Sequence, residues 1–135
     1  MSLAGIVALV SCAGNSGTAP IDVNTASICG QWILRTVNGA PPPWTGTGFG
    51  DRLNSETIGI SDAGTFLDSY SSTNLATNTE DGGSQQGTYI RSGGSLTLRW
   101  TNYIFSWRGS FDGTRLTLNP VYSTGETADV YIFTR

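Results

Sequence analysis

From Gln31 to Arg135 the chain alternates apolar and polar side chains in short runs, broken by Gly, Asn and Asp at intervals of about ten residues. In Tyr103–Phe111 the odd positions are Tyr103, Phe105, Trp107, Gly109 and Phe111, while the even positions after Ile104 are Ser106, Arg108 and Ser110. Leu96, Leu98 and Trp100 alternate with Thr97 and Arg99 in the same way, as do Leu116 and Leu118 with Arg115, Thr117 and Asn119. Successive side chains of a strand point to opposite faces, so each run predicts a strand with one buried and one wet face. No run places its apolar residues at helical spacing, and the pattern predicts an all-β domain.

Further strands are expected over residues 31–37, 55–61, 65–73, 87–92 and 129–135. Asn38-Gly39 ends the first of them, since both residues accept positive φ. Pro41, Pro42 and Pro43 then offer no ladder donors and predict a stiff loop across an open end of the structure. The polar stretch Asn74–Gln86 is expected to begin a fourth strand and to turn at Asp81-Gly82-Gly83. Strands wet on one face must pair as a sandwich or close on themselves. Hairpin-length links and the loss of exposed edges favour closure, so the expected fold is a single up-and-down antiparallel β-barrel of about eight strands.

Composition narrows the chemistry. The 135 residues suit one domain. All seven basic residues are Arg, and against ten acids they leave a formal charge of −3. Neither the sign nor the scatter of these charges fits a nucleic-acid footprint, which needs clustered positive charge. Without His or Lys the chain has no imidazole base, Schiff-base amine or His metal ligand. The expectation is therefore a protein that is not an enzyme, with no catalytic residues, cofactor or metal site.

Leu3–Val10 is an apolar run too short for a bilayer, which needs ~20 residues, but of signal-peptide length. It ends in Leu9-Val10-Ser11-Cys12, which resembles the lipobox of bacterial lipoproteins. That resemblance implies removal of residues 1–11, with a start upstream of Met1 supplying the positive charge that Met1 and Ser2 lack. It also implies a fatty-acylated Cys12, with palmitate among the acyl chains, and a place on the membrane of the bacterial cell envelope. Ala13, in the position after the cysteine, implies the outer membrane facing the periplasm. Residues 12–29, small and polar between the two cysteines, read as the lipidated Cys and a flexible tether. A Cys12–Cys29 disulfide is the other arrangement open to two cysteines, but their settings differ, and Cys29 reads as a small buried apolar residue.

Within 30–135, Gly30-Gln31-Trp32, Val37–Pro43 ("VNGAPPP"), Gly87-Thr88-Tyr89, the paired Leu-Thr-Leu strands and the terminal Phe133-Thr134-Arg135 together resemble the bacterial lipocalin-like domain of the calycin group. The resemblance implies an eight-stranded barrel whose interior holds a small hydrophobic ligand. It also implies structural closure by Gly30, Trp32 and Arg135: Gly30 turns the chain over the closed end, Trp32 plugs it, and the Arg135 guanidinium lies across the Trp32 indole.

The candidate ligand-binding residues are Phe66, Tyr70, Tyr89, Phe105 and Trp107, all on presumed inward phases. The bland alternative is that these rings fill the barrel solid, as eight strands allow. A second reading is a glycan- or protein-contacting module, with Trp44 and Trp100 as exposed indoles stacking on sugars. Glu56 and Asp68 fall on inward phases too, and Arg91 is the expected partner for such an acid.

Overall fold

The computed structural model describes residues 26–46, 50–122, 125–126 and 129–135. Its strands are β1 (Gly30–Val37), β2 (Asp51–Ile60), β3 (Thr65–Asn74), β4 (Thr79–Ser92), β5 (Ser95–Trp100), β6 (Ser106–Phe111), β7 (Arg115–Tyr122), β8 (Gly125–Glu126) and β9 (Tyr131–Thr134). Every pairing is antiparallel. Neighbours pair in sequence from β1 to β7, β7 pairs with β9 and β9 with β1, so eight strands close a ring. The two-residue β8 hangs on the end of β7 outside that ring. The fold is the closed up-and-down barrel that the alternation predicts.

Strand direction gives the barrel two ends. Gly30, Ile60, Ser92, Ser95, Phe111, Arg115 and Thr134 lie at the base, while Val37, Asp51, Asn74, Thr79, Trp100, Ser106, Tyr122 and Tyr131 lie at the mouth. The inward phases at the base are apolar apart from Arg91 on β4, which pairs with Leu96. Trp32, Ile58, Ile60, Leu98, Leu116, Leu118 and Phe133 are all 0% exposed, the close packing that makes a core sensitive to lost volume. The outer face carries exposed Arg35, Arg99, Arg108 and Arg115, the reverse of a barrel that faces lipid.

Gly30, Trp32 and Arg135 meet at the base. Gly30 has φ +140°, which L side chains rarely adopt. Trp32 donates its indole N–H to Ile28 O at 2.8 Å and meets Phe111 edge-on at 5.7 Å. The Arg135 guanidinium sits 4.4 Å over the Trp32 ring and donates to Ser27 O at 2.5 Å. Arg91 lies 5.0 Å over the Phe111 ring and donates to Ala26 O at 2.5 Å.

Several boundaries differ from the sequence reading. Ala26 to Cys29 belong to the packed base rather than to a tether: Ile28 and Cys29 are each 4% exposed. The signal and the remainder of the tether, residues 1–25, lie outside the described residues. Cys29 is not a lone apolar residue, for it stands in a disulfide. β4 runs straight through Asp81-Gly82-Gly83, and the turn comes at residues 75–78, where Asn78 has φ 54° and Asn74 Oδ1 accepts the N–H groups of Ala76 and Thr77. The two glycines serve packing instead. Gly83 is paired with Tyr70, and a Cβ there would come within 3.3 Å of the Tyr70 hydroxyl. β6 begins at Ser106, and Tyr103 leaves the inward phase to stand 48% exposed.

Candidate functional site: a cup at the mouth of the barrel

The inward phase changes character halfway up β2 and β3. Below, Ile58, Ile60 and Phe66 face in; above, on the same phases, come Glu56, Asp68, Tyr70 and Ser72. A register shift between Leu53 and Ser55 lets Leu53 face inward as well. Opposite them stand Trp100 at the end of β5, Trp107 on β6, Pro120 and Tyr122 on β7, and Tyr131 on β9. Together they enclose a cavity of about 290 Å³, with Asp51, Gln85, Phe105 and Asp129 completing its wall. That volume sits at the small end of ligand pockets.

One wall is a continuous set of rings. Trp100 lies 4.9 Å from Phe105 and 5.5 Å from Trp107, and Trp107 lies 4.7 Å from Tyr131. The facing wall is acidic. Glu56 and Asp68 are 6% and 5% exposed. Burial is the largest cause that raises the Glu56 carboxyl well above its ordinary range, and the charge of Asp68 and a hydrogen bond with it add to the effect. Burial also lifts Asp68 to about 6, against the opposing hydrogen bonds of Glu56 and Trp100. Glu56 is therefore the member of the pair that keeps its proton to higher pH. Asp68 Oδ2 accepts the Trp100 indole N–H at 3.3 Å, and Oδ1 is buried with no hydrogen-bond partner. Such an acceptor is costly to leave dry.

Of the candidate ligand-binding residues, Tyr70, Phe105 and Trp107 line the cavity. Phe66 and Tyr89 do not. Phe66 packs edge-on against Trp100 at 5.2 Å from below, and Tyr89 points away to donate its hydroxyl to Ser61 O at 2.8 Å. Arg91 is not the partner of the inward acids, because it belongs to the base; the acids partner each other. Neither Trp44 nor Trp100 is a free-standing indole. Trp44 is half-buried and edge-on to Tyr131 at 5.9 Å, and Trp100 is 4% exposed. The sequence reading passed over Tyr122 and Tyr131 as wall residues. Tyr131 sits in the same odd phase as Phe133, which is the signal that could have found it. Among the described residues no three His, Cys, Asp or Glu side chains gather as a metal site.

No family model matches the chain, and no curated protein matches it in sequence. Among solved structures the chain is similar to wild-type fluorescent protein UnaG, with 13% identity and a TM-score of 0.40 over 80% of this chain and 96% of that one.

Proposed function

We propose that this domain is a non-enzymatic binding module that holds one small molecule in the cup at the barrel mouth. The observation that carries the reading is the contrast inside the barrel: apolar residues pack the base, while the upper interior is left as a cavity of about 290 Å³ walled by aromatic rings. The two walling indoles, Trp100 and Trp107, supply the readout. An environment-sensitive apolar dye is expected to enter at one saturable site and quench tryptophan emission, and Ser72→Phe, which places a ring in the cavity, is expected to abolish the uptake. Dye binding that is non-saturable, or equal in Ser72→Phe, would contradict the cup.

The proposal includes an anchor in the cell envelope through a fatty-acylated Cys12, supported by the Leu9–Cys12 motif. It has a rival. The chain contains two cysteines, so a disulfide at Cys29 within one chain and a thioether at Cys12 exclude each other. Intact mass of protein purified from envelopes separates them. A chain beginning at Cys12 and carrying a diacylglyceryl adduct is the result the anchor requires, and it would mean that the disulfide at Cys29 does not form in the envelope; an unacylated chain lighter by the hydrogens a disulfide removes would overturn the anchor and leave the cup untouched.

A further inference from the structure

Resting on the reading of the upper cavity as a binding cup, we propose that its ligand is a small organic cation, an ammonium group on a compact apolar body, bound with the charge beside Asp68 and the body against Trp100, Phe105 and Trp107. Asp68 is 95% buried by its 5% exposure, lines the cavity, and leaves Oδ1 without a hydrogen-bond partner. A neighbouring ammonium would supply the positive charge that the Trp100 N–H and the hydrogen bond with Glu56 do not, and interactions with a charged group are the strong ones.

Among the described residues no side chain of the cavity wall supplies that positive charge. None of the seven arginines lines the cavity. Arg35, Arg99, Arg108 and Arg115 are exposed on the outer face, Arg91 and Arg135 cap the base, and Arg52 donates to Asn54 and Thr73. The sequence outside the described residues contains no Lys, Arg or His. A cation is therefore the complement the cup is missing.

The rings favour the same occupant. The faces of Trp, Tyr and Phe carry the negative part of the ring quadrupole and attract a cation within about 6 Å. Asp51 and Asp129 in the wall add to a negative field that draws cations in. A fatty acid or other anion would meet Asp68 with like charge. A metal ion would find too few donors, since the wall opposite the acids is made of rings.

The test uses three probes of one shape: 2-phenylethylammonium, 2-phenylethanol and 3-phenylpropionate, titrated at pH 7.5 against tryptophan emission and by calorimetry. The ammonium is expected to saturate one site about tenfold or more tighter than the alcohol, and the propionate not to bind. Asp68→Asn is expected to bring the ammonium down to the level of the alcohol. If Asp68→Asn does not fold, wild-type affinity against pH replaces it. The ammonium stays charged over this range, so its affinity should fall as pH drops through about 6, where Asp68 takes up its proton. The other titratable groups facing Asp68 are Glu56 and Asp51 from β2, Tyr70 from β3, Tyr122 from β7, and Asp129 and Tyr131 on and before β9. No base is among them.

Alcohol or propionate binding as tightly as the ammonium would overturn the cation and keep the cup. So would dye uptake with no binding of any of the three probes. Failure of the dye as well would remove the cup itself.

Discussion

The lower and upper halves of this barrel share the same eight strands and the same period-two alternation, yet they solve opposite problems. In the base the inward positions are apolar except Arg91, which lies over the Phe111 ring as Arg135 lies over Trp32, and Ile28 O accepts the hydrogen bond of the Trp32 indole N–H. In the cup the same phases bring two carboxyls into contact, leave Asp68 Oδ1 dry, and keep space between the rings. The base contributes stability, and the cup gives some of it up. Buried acids without a base are a feature a purely structural core avoids, and they support the proposal that the upper half is the functional one.

Breaking the base gives the largest expected effect. Trp32→Ala removes a side chain that is 0% exposed, and chemical denaturation should show a loss of about 3–5 kcal/mol. Ligand affinity of the folded fraction should stay unchanged, because Trp32 does not line the cup. A small loss in stability together with a large loss in affinity would reverse the assignment of the two halves.

The acids of the cup give the next effect, and its sign is opposite to that of an ordinary ion pair. Burial raises both folded carboxyls, Asp68 from 3.8 to about 6. Between those values the folded state binds more protons than the unfolded one, so the contribution is whole below about pH 4 and is lost as pH rises through about 6. Asp68 alone should make the free protein about 2 kcal/mol less stable at pH 7.5 than at pH 4.5, and Glu56 extends the loss to higher pH. Denaturation midpoints at the two pH values check this. Glu56→Gln combined with Asp68→Asn should flatten the profile, and a wild-type midpoint that rises with pH over this window would contradict the protonated pair.

The smallest effect sharpens the base. A double-mutant cycle on Trp32→Phe and Arg135→Ala should give a coupling of about 0.5–1 kcal/mol, a value suited to a guanidinium that remains partly exposed. A coupling of zero would leave Arg135 as packing alone.

The two halves were also unequally legible in the sequence. The base could be read from the apolar inward phases of β1, β2, β5, β7 and β9, whereas Arg91, which shares the inward face of Leu96, could not be placed over Phe111 from its type. The cup could not be read so far. An acid on an inward phase, such as Glu56 or Asp68, suggests an arginine partner, and only the register Glu56 to Tyr70 and Ile58 to Asp68 puts the two carboxyls side by side. Gly82-Gly83 carries the chemistry of a turn, but cross-strand room for Tyr70 decides its place in β4. Tyr103 keeps the alternation of β6 on paper, although the chain leaves the ladder before reaching it. Phe66 and Tyr89 share the aromatic type of the cup residues, and their height along the barrel, which the pattern does not encode, places them below it. Cys29 looked apolar because its burial is visible in its neighbours and its sulfur partner is not.

The most direct test of a hollow upper half over a packed lower one is the indole N–H spectrum of the four tryptophans during titration with 2-phenylethylammonium. The Trp100 and Trp107 resonances should shift together and saturate, with Trp100 moving most because its N–H is bonded to Asp68, while Trp32, bonded to Ile28 O in the base, stays in place. Saturable shifts at Trp32 with none at Trp100 and Trp107, or no shift at any indole, would contradict the account.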